Sequence, residues 1–223
     1  MWVKICGNTR LEDCQRAVEL GVDALGFIFA HGKRLVTAEH VRGITSQLPS
    51  HVATYGVFTQ SDPEYVANTA VAAGIYGVQM HGAFDPVLSA ALRVRFPKGE
   101  APRLLQVVHW DVDAPAMEQQ QWLNGQLTVL ADSGLVDAVL VDSHTRQGSG
   151  GTGVTFDWAA AAPVLQNAKL PVIVAGGLRP GNVADAVRAL QPWGVDVSSG
   201  VESAPGVKDA EKVAAFLQAA RQR

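Results

Sequence analysis

A chain of 223 residues, 48% hydrophobic and 17% charged, has the apolar content to bury a sizeable core and lacks the polar bias of disordered segments. Its net charge of -3 and its lack of like-charge runs exclude a surface built mainly to neutralise nucleic-acid phosphates, and no stretch reaches the ~18 apolar residues of a membrane span. Two cysteines, Cys6 and Cys14, are too few for a disulfide framework and too close along a strand-to-helix passage to bridge, which points to a reducing compartment. With no basic segment leading into an apolar run at Met1, the chain reads as cytoplasmic.

Short apolar, β-branched runs alternate with helical patterns along the whole length, the mark of βα units around a parallel sheet. Eight strands are predicted: Val3 to Cys6, Ala24 to Phe29, Ala53 to Phe58, Tyr76 to Met80, Leu104 to Val108, Ala138 to Asp142, Val172 to Ala175 and Val195 to Ser198. Thr9 with Glu12 three residues on reads as a capping box opening a helix with Leu11, Cys14, Val18 and Leu20 on its apolar stripe. Asp62-Pro63-Glu64 and Arg179-Pro180 place proline at or near a first helical turn. The fifth unit is the least legible, from Phe96 to Gly134, and its run Gln119 to Gln121 reads as a solvated helix face. The glycine tract from Gly148 to Gly153 follows a strand and reads as a mobile active-site loop. Eight units in this order define an α/β protein, a single (β/α)8 TIM barrel over residues 1–223.

In such a barrel the functional groups gather at the C-terminal ends of the strands. Gly176-Gly177 after the seventh strand and Ser199-Gly200 after the eighth stand where barrels of this kind bind phosphate, because backbone N–H groups there can approach an anion. Cys6 ends the first strand; as a base it needs its thiolate populated, hence a lowered pKa, and Lys4 lies on the same strand face. Cys14 reads as core. Asp142, at the mouth of an apolar strand, pairs with Cys6 as an acid–base couple suited to moving a proton between adjacent sugar carbons. Arg34, after the second strand, offers a fork for a planar carboxylate. His31, His51 and His109 show no metal-ligand spacing, so no metal is expected, and no Gly-x-Gly-x-x-Gly dinucleotide fingerprint follows the first strand.

Lys4-Ile5-Cys6-Gly7, Val78-Gln79-Met80-His81-Gly82, Leu140-Val141-Asp142-Ser143, Gly150-Gly151-Thr152-Gly153, Ala175-Gly176-Gly177-Leu178 and Asp196-Val197-Ser198-Ser199-Gly200-Val201-Glu202 together resemble the phosphoribosylanthranilate isomerases of tryptophan biosynthesis. The resemblance spans nearly the whole chain in order. It implies a cofactor-free Amadori rearrangement of N-(5-phosphoribosyl)anthranilate, an aldose–ketose isomerisation. Asp142 would be the general acid and Cys6 the general base. Arg34 would hold the anthranilate carboxylate, and Gly177, Ser199 and Gly200 the phosphate; Gln79, His81 and Asp196 are the further substrate-binding candidates. Asn8 stands where the family carries an aliphatic residue, next to the proposed base, and Gly32-Lys33-Arg34 departs from the usual loop.

Two competing readings remain open at this point. One is another phosphosugar barrel, such as an epimerase or indole-glycerol-phosphate synthase, although the metal-ligating histidines or catalytic lysines these require are missing. The other is a non-catalytic phosphate-ligand binding protein that keeps the barrel. The expected partner is a small phosphosugar, with neither nucleic acid nor membrane, on a chain that is a monomer by default and open to homodimerisation.

Overall fold

The computed structural model of the chain describes residues 1–145, 148–149 and 155–222. All eight expected strands are present: β1 (Trp2–Ile5), β2 (Ala24–Ile28), β3 (Ala53–Phe58), β4 (Gly77–Met80), β5 (Leu104–Asp111), β6 (Ala138–Thr145), β7 (Val172–Val174) and β8 (Gly194–Val197). They pair in parallel in the order 5-4-3-2-1-8-7-6, and β5 joins β6 to close the ring. Among the described residues eight helices cover the outside: α1 (Leu11–Glu19), α2 (Ala38–Thr45), α3 (Pro63–Ala72), α4 (Pro86–Arg95), α5 (Ala116–Ser133), α6 (Trp158–Gln166), α7 (Val183–Leu190) and α8 (Ala210–Arg221). Among the described residues no helix is long and apolar enough to cross a membrane.

Alternation along each strand sorts the side chains into two cores. Leu25, Phe27, Val139, Val141 and Val195 face the helices as part of one large cluster. Ala24, Tyr55, Leu105, Val107, Ala138, Leu140, Ile173 and Ala175 form a second cluster inside the ring. Burial on both faces is why these strands read as near-continuous apolar runs. The same alternation turns the next residue of the inward row toward the barrel mouth. On β6, Asp142 follows Ala138 and Leu140; on β5, His109 follows Leu105 and Val107.

Side chains cap five of the helix starts, those of α2, α3, α4, α6 and α8, and not those of α1, α5 and α7. Asp62 caps α3 by accepting from the Glu64 N–H at 2.9 Å, with Pro63 in the first turn as expected. The Thr9–Glu12 capping box does not form. Arg10 occupies the cap position without a side-chain bond, because the Thr9 hydroxyl donates instead to the Gly206 carbonyl at 2.7 Å. Pro180 lies in the turn ahead of α7 rather than inside its first turn, since that helix begins at Val183. The poorly legible fifth unit resolves into the 18-residue α5. Its glutamines are only partly solvated: Gln119 accepts from the Asp111 N–H at 2.9 Å and Gln120 donates to the Ala160 carbonyl at 2.6 Å.

Both β5 and β6 run three residues past their expected ends, pairing His109 with Asp142, Trp110 with Ser143 and Asp111 with His144. Gly148–Ser149 folds back antiparallel on β6. The rest of the expected active-site loop, Gly150 to Gly153, lies outside the described residues.

Candidate active site

The inward rows open at the strand C-termini into a cavity of about 690 Å³. Every site residue expected from the sequence lines it: Cys6, Arg34, Gln79, His81, Asp142, Gly177, Asp196, Ser199 and Gly200. They come from β4, β6 and β8 and from the loops after β1, β2, β4, β7 and β8, so the closure of the ring is what assembles them.

On the β1–β8 wall the charges meet opposite charges. Lys4, fully buried, sets its Nζ 2.9 Å from Asp196 Oδ2; the contact is ionic, because Nζ has no well-directed hydrogen bond. Burial opposes the ammonium, but Asp196 and Cys6 outweigh it and Lys4 stays above its ordinary pKa. Cys6 sits beside this pair. Gly26 on β2 makes the space: a Cβ there would stand 2.7 Å from Cys6 Sγ and 3.1 Å from Lys4 Cε. Burial pushes the Cys6 thiol up, Lys4 and Lys208 pull it down, and Asp196 adds to the rise. The net shift is upward, opposite to the lowering expected for a base, because burial, helped by Asp196, outweighs the cations nearby.

Arg34 is held by Glu202 through two hydrogen bonds, Nε to Oε1 at 2.8 Å and Nη2 to Oε2 at 2.6 Å. The Glu202 carboxylate also accepts from Lys208 Nζ at 2.8 Å and from the Gly206 N–H at 3.2 Å. Lys208 in turn donates to the Cys6 carbonyl at 2.5 Å. Burial would raise the Glu202 pKa, but Arg34 and Lys208 hold it below the ordinary carboxylate value. These bonds use two of the guanidinium nitrogens and leave Nη1 out of the pair. Asn8 spends its amide on the Ile5 and Gly26 carbonyls, at 2.8 and 3.1 Å, so it braces the turn after β1 rather than bonding the thiol.

The β4–β6 wall is different. Asp142 is buried, and burial with the Asp196 charge pushes its pKa up to about 7, against the Ser143 N–H and Lys4. Its strand neighbours are imidazoles. The rings of His81 and His109 meet edge to face at 4.8 Å, and His144 lies 5.6 Å from His109. Burial, then His109, lowers His81 to about 4. The Nδ1 atoms of all three histidines and the Oε1 of Gln79 are buried with no hydrogen-bond partner.

At the β7–β8 end, Gly176 and Gly177 both take positive φ, 81° and 63°, which places their backbone close to the cavity at little steric cost. A single 3-10 turn, Ser199–Val201, follows β8. Their neighbours from other strands were invisible by spacing. Glu202 belongs to the quoted Asp-Val-Ser-Ser-Gly-Val-Glu run, so a signal existed for it, whereas Lys208 and the approach of His109 to His81 had none.

A (β/α)8 barrel with an acid and a thiol facing one cavity, and a glycine-rich rim after β7 and β8, defines a small-molecule enzyme site of the acid–base type. Residues 3–219 match the family model for N-(5'phosphoribosyl)anthranilate (PRA) isomerase. An N-(5'-phosphoribosyl)anthranilate isomerase of Geobacter metallireducens is 42% identical over 98% of both chains, and one of Geobacter sulfurreducens 40% over 98% of both. Among solved structures, the phosphoribosyl anthranilate isomerase of Thermotoga maritima superposes with a TM-score of 0.83 at 32% identity, covering 99% of this chain and 98% of that one. Another solved phosphoribosyl anthranilate isomerase, in complex with reduced 1-(o-carboxyphenylamino)-1-deoxyribulose 5-phosphate, gives a TM-score of 0.80 at 30% identity, with 99% and 98% covered. The chain belongs to the N-(5'-phosphoribosyl)anthranilate isomerase family.

Proposed function

We propose that this chain, acting as one catalytic domain over residues 1–223, converts N-(5-phosphoribosyl)anthranilate to 1-(2-carboxyphenylamino)-1-deoxyribulose 5-phosphate in tryptophan biosynthesis. The observation that carries the mechanism is the placement of Cys6 and Asp142 on different strands of one cavity, with the glycine rim at one end and Arg34 on the same wall as Cys6. The protonated Asp142 gives its proton to the furanose ring oxygen, the C1'–O bond breaks and an iminium forms. The Cys6 thiolate removes the C2' proton, and the electron pair becomes the C1'=C2' bond of an enolamine. Loss of the C2' hydroxyl proton and protonation of C1' give the ketone.

A carboxyl kept partly protonated at neutrality suits the first step. For the second, the positive iminium beside Cys6 supplies the attraction for a thiolate that Asp196 otherwise removes. Arg34 holds the anthranilate carboxylate, with Glu202 fixing the guanidinium plane. Gly177, Ser199 and Gly200 hold the phosphate, and Gln79, His81 and Asp196 complete the contacts. The monomer is the default working unit of this reading, with a homodimer possible. Two unbridged cysteines fit a cytoplasmic setting.

The test is a fluorescence assay of the purified protein with freshly generated N-(5-phosphoribosyl)anthranilate. Loss of substrate fluorescence in proportion to enzyme is the expected result. A folded protein with no turnover would instead favour a phosphate-ligand binding protein.

A further inference from the structure

We propose that His81, His109 and Asp142 form a site for one divalent transition-metal ion of the zinc class, and that its occupancy shuts off the isomerase. The three residues stand at the ends of adjacent strands β4, β5 and β6. One nitrogen from each imidazole and one carboxylate oxygen all lie within 4.8 Å of one another. An ion held at ~2.0–2.2 Å by each ligand wants these atoms roughly 3.3 Å apart, so closing the site takes side-chain rotation and no movement of the sheet. The backbone is already set for it: His109 is the register partner of Asp142, and the His81 and His109 rings are in edge contact.

A second observation points to a ligand. The Nδ1 atoms of His81 and His109 are buried and have no hydrogen-bond partner, which is costly for polar atoms unless something outside the protein satisfies them. His109 also directs Nε2 toward the His81 carbonyl at 3.5 Å, the kind of outer contact that orients a metal-bound imidazole. Two imidazoles and one carboxylate favour zinc, cobalt or nickel over magnesium or calcium, which prefer oxygen. His81 and Asp142 line the cavity, so the remaining coordination positions face it. The absence of metal-ligand spacing in the sequence does not bear on this cluster, whose members come from three strands. An ion on the Asp142 carboxylate takes the lone pair that must carry the proton, so it blocks proton donation and competes with substrate.

The experiment uses the full chain, freed of metal by dialysis against a chelator. Zn²⁺ is titrated in against a chromophoric chelator, Co²⁺ is used as an absorbing probe, and isomerase activity is followed in parallel. One ion per chain is expected, with inhibition competitive against substrate and reversed by EDTA. His109→Ala should bind Zn²⁺ at least tenfold more weakly, keep its basal turnover and escape the inhibition. His109→Gln, which keeps size and polarity, should do the same and replaces it if the alanine variant does not fold. Cys6→Ser should retain the ion. No stoichiometric binding, unchanged binding in the His109 variants, or loss of binding in Cys6→Ser would each overturn the site; the last would assign the ion to the thiol. Binding is read without reference to turnover, so its outcome is separate from that of the isomerase assay.

Discussion

Both walls of the cavity carry buried ionisable groups, Lys4, Asp196 and Glu202 on one and Asp142 on the other, and the two walls treat them differently. On the β1–β8 wall Lys4 faces Asp196, and Arg34 and Lys208 share Glu202, so Lys4 and Arg34 are held above and Glu202 below their ordinary pKa values. On the β4–β6 wall Asp142 stands beside imidazoles and within reach of the Asp196 charge, and burial drives Asp142 up to about 7 and His81 down to about 4. Burial alone does not decide a protonation state; the partner does. The paired wall supplies a fixed frame, and the unpaired wall supplies the group that can give up a proton near neutrality.

That contrast can be broken at several points. The largest effect is expected from the reacting pair: Cys6→Ala and Asp142→Asn should each fold and lose activity by about 10²–10⁴, as removal of a general base or acid does. Undiminished turnover in either would remove that residue from the mechanism. On stability the walls should respond with opposite signs. Lys4→Met strands a buried Asp196 and should cost about 3–5 kcal/mol in urea unfolding; a loss below about 1 kcal/mol would mean the pair is not a buried frame.

Asp142→Asn should stabilise, and only at the higher pH. With a folded pKa of about 7 against ~3.9 when unfolded, the folded protein binds the extra proton between these values. Wild-type stability should therefore decline as pH rises from about 4 to 7, by up to about 4 kcal/mol, and then level off. The asparagine variant should lack that decline, matching wild type near pH 4 and exceeding it at pH 8. Parallel stability curves across the range would show that the carboxyl is not held up. A smaller effect is expected at Glu202→Gln, which keeps the shape of the Arg34 clamp but not its charge: KM should rise about tenfold, the equivalent of ~1.4 kcal/mol, with kcat less affected. An unchanged KM would detach Arg34 from substrate binding.

The strands were legible because burial on both faces imposes continuous apolar runs, and the site residues because the barrel puts function at strand ends. What escaped was what depends on contacts distant in sequence. Thr9 has the chemistry of a helix cap, yet the Gly206 carbonyl, 197 residues away, takes its hydroxyl. His109-Trp110-Asp111 and Ser143-His144-Thr145 become strand through partners distant along the chain or around a turn: His109 with Asp142, Trp110 with Ser143, Asp111 with His144, and Thr145 with Gly148. The upward shift of Cys6 is not legible because Lys4 is a local neighbour along the chain, while the burial that outweighs it, and Asp196 from the last strand, come with the closed ring.

The absent side chain at Gly26 has a consequence for anyone altering this barrel. Sulfur is a large atom, and its berth between β1 and β2 exists only because β2 contributes no Cβ there. In Gly26→Ala one methyl group would crowd the sulfur and the Lys4 stem together. The room for the thiol is thus set from a neighbouring strand, by a residue with no chemistry of its own.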